Sequence, residues 1–304
     1  MREAPVRLVL DTDPGIDDAV TLALAARSPE LEVTAVTTTY GNAPLPETTR
    51  NARAVLALAG LPGVPVYPGS ERPIARPRAS GAAMHGASGV GYAAVTAAPA
   101  LVADPLALLR VLGSTAPVTL LTLGPLTNLA HALDRDGALV KRAVSRHVAM
   151  LGAFAERGAS DRLADFNAWA DPEAADRVLR AGLPTTLVPL DVTRRMALRA
   201  DHVARLGESS DALARWLGEA LRFSVEAHRT ARGIDGCVVN DVLALGEVLA
   251  PGLLTFAERR ILVDLDEGER RGHTREAADG LLLPVATSVD VERILLLLER
   301  VLSA

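Results

Sequence analysis

Aromatic residues make up only 3% of this 304-residue chain, although hydrophobic residues of all kinds account for 49%. We therefore expect an aliphatic core, and a ligand would have to be held mainly by polar contacts. The shortage of aromatic rings also argues against the stacking platforms that bind single-stranded nucleic acid. The net charge of -5 lacks the basic surface that nucleic acid or an anionic membrane attracts, so neither partner is expected.

Cysteine is equally scarce, because Cys237 is the single one and cannot form an intramolecular disulfide. The first residues show no basic segment followed by an apolar one, as an export signal would. The longest apolar stretches, such as residues 294–298, fall far short of the ~20 residues needed to span a bilayer. The sequence therefore predicts a cytoplasmic protein without a membrane segment.

Strand-like and helix-like segments alternate along the chain, which predicts an α/β fold with an open, mostly parallel central sheet flanked by helices. We expect residues 1–304 to form one domain. The predicted strands are 6–10, 33–39, 118–122, 147–151, 186–189 and 260–263. The predicted helices are 19–26, 47–59, 126–133, 172–181, 211–229, 239–249 and 291–302.

Three segments interrupt this alternation and are interpreted as loops: residues 69–104, 154–170 and 229–237. The first is rich in glycine, alanine and proline. Long loops at strand ends are where ligand contacts accumulate. We therefore expect them to lie over the ligand-binding edge of the sheet.

Four aspartates, Asp11, Asp13, Asp17 and Asp18, follow the first predicted strand around a Pro-Gly turn. Several carboxylates at one point are typical of a site for a hard divalent cation. Without a cation, such close negative charges would raise one another's pKa and oppose folding. The alternative is an acidic turn that favours a helix N-terminus, but that role needs one carboxylate and not four.

Other polar motifs follow other predicted strands, and ligands of such sheets bind at the carboxyl ends of the strands. These motifs are Gly41-Asn42, Leu123-Gly124-Pro125, Asp165-Phe166-Asn167 and Asn240-Asp241. Each one alone is a common turn or helix-capping sequence. Their convergence on one edge predicts a polar ligand site there.

In this order, the motifs resemble those of the calcium-dependent nucleoside hydrolases, the inosine-uridine preferring group. The resemblance runs from Asp11 to about Leu302 and includes residues 36–42, 85–89, 123–130, 165–167 and 171–175. It implies the Rossmann-like nucleoside hydrolase fold and hydrolysis of the N-glycosidic bond of ribonucleosides or related N-ribosides. It also implies a small-molecule nucleoside as the partner and a homodimer or homotetramer as the assembly.

The resemblance implies a role for each site residue. Ca²⁺ would be bound by Asp13, Asp18, Asp241 and the backbone carbonyl of Leu123. Asp13 would also act as the general base toward water, Asp17 and Asn167 would hold the ribose 2′ and 3′ hydroxyls, and Asn42 would lie in the same pocket. His85 is a further catalytic candidate near the base, and Asp11 would be structural. Carboxylates around the sugar suit the oxocarbenium character of such a transition state.

Three positions depart from the family pattern. Asn240 stands where members carry a histidine near the leaving base, and an amide cannot act as a general acid. Asp165 replaces a glutamate, and Ala159 replaces an asparagine, at positions that contact the ribose. These changes predict altered specificity, such as a different 5′ end or a leaving group that needs no proton. His228 could replace the missing acid, and Arg232 is a comparable candidate if the substrate is anionic.

Two other functions remain open from the sequence. One is a calcium- and ribose-binding descendant of the family that no longer turns over substrate. The other is a phosphoryl-transfer enzyme of the haloacid dehalogenase type, because an Asp-x-Asp after the first strand is its signature too. That chemistry needs cations to neutralise phosphate, and the chain has one lysine, Lys141, outside every motif.

Overall fold

The computed structural model describes residues 4–78, 80–96, 102–115, 117–158 and 162–302. Its strands are β1 (Val6–Thr12), β2 (Leu31–Thr38), β3 (Val66–Pro68), β4 (Val118–Thr122), β5 (Val144–Met150), β6 (Thr185–Val188), β7 (Ala197–Arg199), β8 (Gly236–Val238), β9 (Leu254–Val263), β10 (Thr274–Glu276) and β11 (Leu281–Val289). Its helices are α1 (Ile16–Arg27), α2 (Leu45–Leu58), α3 (Ala82–His85), α4 (Ala107–Ser114), α5 (Thr127–Ala143), α6 (Phe166–Ala170), α7 (Pro172–Arg180), α8 (Leu190–Thr193), α9 (Ala200–Gly207), α10 (Ala212–Arg232), α11 (Asp241–Leu249) and α12 (Val291–Leu302).

Nine of these strands form one sheet in the order β10-β9-β11-β6-β5-β4-β1-β2-β3. The pairs from β11 to β3 are all parallel, whereas β9 runs antiparallel to both of its neighbours. The predicted open, mostly parallel sheet flanked by helices is therefore confirmed. The parallel arrangement brings the ends of β1, β2, β4, β5 and β6 to one edge.

Alternate residues of the central strands enter two separate apolar cores, one on each face of the sheet. In β1, Leu8 and Leu10 pack into one core, together with residues of α1, α2, α10, α11 and α12. Val9 packs into the other core with residues of α4, α5 and α7. This is the two-residue period of a strand whose two faces are both covered.

Several strands were missed in the sequence. The most important is β11, a central strand in which Val285 lies opposite Leu187 of β6. Pro284 interrupts its apolar pattern, and a proline argues against a central strand. The others, β3, β7, β8 and β10, have only three residues each and offer too short a pattern to recognise.

The three predicted loops contain more regular structure than expected. The segment 69–104 includes α3, and 154–170 includes α6. The interpretation of 229–237 as a loop was largely wrong, because α10 continues to Arg232 and β8 begins at Gly236. Gly233 ends α10 in the left-handed conformation, with a φ of 67°.

Among the described residues, no helix combines the length and the apolar character that crossing a membrane would require.

Candidate active site

The acidic cluster lies where β1 passes into α1 at the carboxyl edge of the sheet. Asp13 follows β1 directly, and Asp17 and Asp18 occupy the first turn of α1. Asp241 is the first residue of α11, far along the chain. All four residues are buried, each 8% exposed or less. The structure thus brings together the carboxylates that the sequence motifs predicted to converge.

Three of these residues could hold one ion together. Asp17, Asp18 and Asp241 each offer an oxygen, and the three oxygens lie within 4.8 Å of one another. The sequence-based set had Asp13 with Asp18 and Asp241, and it gave Asp17 to the ribose. Asp13 borders the same cluster, and ligation by Asp13 stays a prediction.

The negative charges of the clustered carboxylates repel one another. Burial raises the pKa of Asp13 and Asp241 well above the usual value of an aspartate, and the neighbouring carboxylates raise both further. Burial is also the main cause of the raised pKa of Asp17 and Asp18. Ionised carboxylates this close require a compensating positive charge.

Two oxygens of the cluster have no hydrogen-bond partner among the described residues. They are Oδ1 of Asp13 and Oδ1 of Asp17, and both are buried. A buried carboxylate oxygen without a donor is costly unless a cation or a ligand hydroxyl meets it. The orphaned oxygens and the all-oxygen donor set fit a hard divalent cation, so the cluster could bind a metal.

The Asp18 carboxylate is held in place from three sides. Its Oδ1 accepts a hydrogen bond from the hydroxyl of Thr12, and its Oδ2 accepts one from the N–H of Gly15 at 3.0 Å. The side-chain amide of Asn42 donates to the same Oδ2 at 2.9 Å. The N–H of Asn42 donates to Oδ2 of Asp13 at 2.8 Å. Asn42, predicted to lie in the sugar pocket, therefore also orients two carboxylates.

Glycines make room for Asp13. A Cβ atom at Gly124 would lie 2.6 Å from its Oδ1, and one at Gly41 would lie 1.9 Å from its Oδ2. A side chain at either position would push the carboxylate aside. This close approach explains why both turns carry glycine at the strand ends.

Asn167 ties the cluster to two neighbouring strand ends. Its side-chain amide donates to the carbonyl of Leu123 at 2.6 Å and to the carbonyl of Met150 at 3.0 Å. Leu123 and Asn167 both line the cavity above the acidic residues. A role of the Leu123 carbonyl as a metal ligand, and of Asn167 as a ribose contact, stays a prediction.

Asp165 has a structural use in this arrangement. Its carboxylate accepts hydrogen bonds from the N–H groups of Gly152, Asn167 and Ala168 at 2.9 to 3.1 Å, which caps α6. Burial raises its pKa to about 6. Asp165 is 1% exposed and is not among the residues that line the cavity. The predicted contact of Asp165 with the ribose remains untested, and Ala159 lies outside the described residues.

Asp11 points away from the cavity and acts within the fold. Its Oδ1 accepts hydrogen bonds from the hydroxyl of Thr37 at 2.5 Å and from the amide of Asn128 at 2.8 Å. Burial raises its pKa to about 6. These contacts agree with the structural role expected for it.

Asn240 connects the acidic cluster to α8. Its amide nitrogen donates to Oδ2 of Asp17 at 3.3 Å, and its oxygen accepts the hydroxyl of Thr193 at 2.8 Å. Asn240 also lines the cavity. The residue is therefore fixed at the site and has no acidic proton to give.

The two histidines of the cavity are both held neutral by burial. His85 lies with Nδ1 3.9 Å from Oδ1 of Asp17, and burial lowers its pKa to about 4. In His228, Nδ1–H donates to the carbonyl of Ser224 at 2.9 Å, and Nε2 accepts the N–H of Val238 at 3.4 Å. With both ring nitrogens engaged within the protein, a neutral His228 has no free N–H to offer a leaving base in this arrangement, and its role as the replacement acid stays a prediction.

Sequence analysis missed several supporting residues. Asn51 donates to the carbonyls of Pro14 and Ser88 and so fastens the glycine-rich loop over the acidic turn. Thr193 holds Asn240, and Arg194 lines the cavity. The signal for Asn51 was available, because it is a polar residue on the buried face of α2.

Comparison with known proteins agrees with this geometry. The sequence profile of the inosine-uridine preferring nucleoside hydrolases matches residues 8–295. Uridine nucleosidase 1 of Arabidopsis thaliana is 32% identical over 306 residues, covering 95% of this chain and 90% of that protein. Among solved structures, a plant nucleoside hydrolase has a TM-score of 0.90 at 31% identity, covering 99% of this chain and 100% of the other. The purine-preferring ribonucleoside hydrolase of Gardnerella vaginalis has a TM-score of 0.89 at 29% identity, and 98% of each chain is covered.

The chain belongs to the inosine-uridine preferring nucleoside hydrolase family. It is an N-ribosyl hydrolase, and its reaction is hydrolysis of an N-glycosidic bond. This assignment replaces the haloacid dehalogenase alternative.

Proposed function

We propose that this protein is a calcium-dependent hydrolase that cleaves ribonucleosides or related N-ribosides into ribose and the free base. The observation that carries the proposal is the pair of orphaned oxygens, Oδ1 of Asp13 and Oδ1 of Asp17, in a buried cluster of four carboxylates. Its all-oxygen donor set suits Ca²⁺. The family match and the relatives named for nucleoside hydrolysis support the same conclusion.

When bound, Ca²⁺ would supply the positive charge that anchors ribose hydroxyls and favours ionisation of the attacking water. We assign the metal to Asp13, Asp18, Asp241 and the Leu123 carbonyl. Asp17 is a fifth candidate, because one of its oxygens lies within 4.8 Å of oxygens of Asp18 and Asp241.

Asp13 would take the proton from water as the water oxygen bonds to C1′ of the ribose and the C1′–N bond breaks. The electron pair of that bond leaves with the base, and any proton that the departing base needs would come from solvent water. Asp17 and Asn167 would hold the ribose diol, and the buried carboxylates would stabilise positive charge on the ribosyl group. His85 borders this site and could donate a hydrogen bond to the base only as a neutral imidazole.

The leaving-group side has no acid in the described part of the cavity. Asn240 is an amide, both nitrogens of His228 are occupied, and burial lowers the pKa of His85 to about 4. We therefore propose that the best substrates have leaving groups that depart without protonation by the protein. We also propose an assembly of two or four chains, on the family resemblance alone.

The test is hydrolysis of inosine, uridine, cytidine, adenosine and p-nitrophenyl riboside, measured by released reducing sugar, with Ca²⁺ and again with chelator. We expect calcium-dependent cleavage, fastest for the nitrophenyl compound. Asp18→Asn should abolish both activity and the stabilisation that Ca²⁺ gives to thermal unfolding. Asp201→Asn, at an exposed aspartate of α9, is the matched control.

Each failure has a distinct meaning. Equal cleavage with Ca²⁺ and with chelator would refute the metal requirement. Calcium-dependent activity in Asp18→Asn would refute the assignment of Asp18 as a metal ligand. Saturable nucleoside binding without any cleavage would instead favour the calcium- and ribose-binding descendant.

A further inference from the structure

The cavity is lined by positive as well as negative side chains. Of the acidic cluster, Asp17 and Asp241 line the cavity. Among the described residues, Arg194 and Arg232 are the two arginines that line it as well. Neither arginine forms an ion pair with the cluster within that part of the chain. Their charges are therefore not used to neutralise the carboxylates of the metal site.

Arg194 is held at the cavity by well-defined contacts. It directly follows Thr193, the residue that holds Asn240, and its side chain is 16% exposed. Its Nη1 lies 2.7 Å from Oε2 of Glu156. The Asp191 carboxylate accepts hydrogen bonds from the N–H groups of residues 154, 155 and 156, which fixes the loop that carries Glu156.

Arg232 reaches the cavity from another element. Ser224, His228 and Arg232 are spaced four residues apart on α10, so they share one face, and all three line the cavity. Arg232 is the last residue of this helix, at the solvent-exposed mouth. In the described part of the chain its guanidinium has no hydrogen-bond or ion-pair partner, unlike that of Arg229 one turn earlier, which pairs with Asp235.

The two guanidinium groups belong to residues that line the same cavity. Burial and then the charge of Arg194 lower the pKa of Arg232, while Glu156 acts in the opposite direction. Glu156 pairs with Arg194 alone among the described residues, so the two arginines together keep a net positive charge. An anion placed between them would relieve this repulsion and would fit the planar donor geometry of guanidinium.

We propose that the preferred substrate is an N-riboside carrying an anionic group, a carboxylate or a phosphate, which Arg194 and Arg232 bind. This inference rests on the proposed N-riboside hydrolysis and narrows its substrate class. Neutral nucleosides offer no partner to Arg232 and none beyond Glu156 to Arg194, so we expect them to bind less tightly than anionic ribosides.

The test compares three ribosides that share one base. Uridine is neutral, uridine 5′-monophosphate carries its anion on the sugar, and orotidine carries a carboxylate on the base. Dissociation constants from calorimetry and kcat/KM from released sugar are measured at saturating Ca²⁺. The proteins are the natural chain, Arg232→Gln and a charge-matched control, Arg195→Gln, whose side chain is exposed and does not line the cavity.

We expect one charged compound to exceed uridine at least tenfold in affinity and in kcat/KM. Arg232→Gln should reduce that ratio by about 10- to 100-fold, the effect of removing a charge-assisted hydrogen bond. Arg195→Gln should leave the ratio unchanged. A preference for the monophosphate places the anion at the sugar, and a preference for orotidine places it at the base.

The inference is overturned if uridine equals or exceeds both charged compounds in affinity and kcat/KM. It is also overturned if Arg232→Gln does not change the ratio of charged compound to uridine. Both results would leave the proposed hydrolysis intact. Arg232-dependent binding of a charged riboside without cleavage of any riboside would support the anion site and overturn the proposed hydrolysis. Failure of all three compounds to bind would overturn the anion site as well.

Discussion

Nδ1 of His85 accepts a hydrogen bond from the backbone N–H of Ile16 at 3.0 Å. A backbone N–H can only donate, so the neutral ring carries its proton on Nε2. The bond joins the glycine-rich loop to the first turn of α1, next to Asp17. His85 is therefore positioned both to close the loop and to offer an N–H to the cavity.

These two roles can be separated by substitution. His85→Ala should lower the free energy of unfolding by about 1–3 kcal/mol, because the N–H of Ile16 loses its acceptor. His85→Asn places an amide oxygen near the position of Nδ1 and should recover most of that loss in urea unfolding. If Nε2–H contacts the substrate, both variants lose activity; full activity in His85→Asn would exclude that contact.

The close approach of Gly124 to Asp13 lets us predict how activity responds to a small displacement of the Asp13 carboxylate. Its Cβ in Gly124→Ala would lie 2.6 Å from Oδ1 of Asp13, so the carboxylate must move. We expect kcat to fall at least about tenfold, since misplacement of a catalytic group by 1 Å can cost ~100-fold. Gly63→Ala is the control, because nothing lies within 4 Å of a Cβ there. Unchanged kcat in Gly124→Ala would show that Asp13 is not the base.

The burial of His147 lets us predict how the free energy of unfolding depends on pH. It is fully buried in β5 between the hydroxyls of Thr122 and Thr185, at 3.0 and 2.9 Å, and burial lowers its pKa to about 3. Because the pKa of His147 is lower in the folded than in the unfolded chain, the neutral ring contributes fully to stability above pH 6.5, near its pKa in the unfolded chain. This contribution is lost as the pH falls toward 3.

Between pH 7 and pH 5, protonation of this histidine in the unfolded chain should cost the fold about 2 kcal/mol. His147→Gln should therefore lose less stability over this interval than the natural protein, as measured by urea unfolding at both pH values. His202→Gln, on the surface helix α9, serves as the control. Identical pH dependence in all three proteins would contradict the burial argument.

Asn240→His tests the missing acid. A histidine beside the leaving base could donate a proton, so cleavage of ordinary nucleosides should improve by about 10- to 100-fold. Cleavage of p-nitrophenyl riboside should change little, because its leaving group needs no proton. No gain for nucleosides would mean that leaving-group stabilisation comes from elsewhere, or that the loss of the Thr193 hydrogen bond outweighs the gain.

The first strands and helices, β1, α1, β2 and α2, were predictable because they carry clear periods. The predicted strand 6–10 corresponds to β1, although β1 extends to Thr12. The predicted helix 19–26 began three residues too late, since α1 starts at Ile16. Asp17 and Asp18, which the sequence places beside the Pro-Gly turn, form the negatively charged first turn of the helix.

The C-terminal half was harder because pairing there is not sequential. β9 runs antiparallel between β10 and β11, and β11 joins the parallel part of the sheet. Alternation along the chain cannot reveal such an insertion. For the site, motifs identified which aspartates converge, but not that oxygens of Asp17, Asp18 and Asp241 would lie within 4.8 Å of one another. That outcome depends on side-chain directions at two helix starts.

The position of β11 also bears on how the protein is made. Until Val289 has been synthesised, β6 has a neighbour on one side only, and residues Thr185–Val188 present an open row of backbone donors and acceptors. Open strand edges recruit other chains. A truncated product, or a ribosome paused between β6 and β11, would expose this edge, so aggregation during synthesis competes with completion of the sheet.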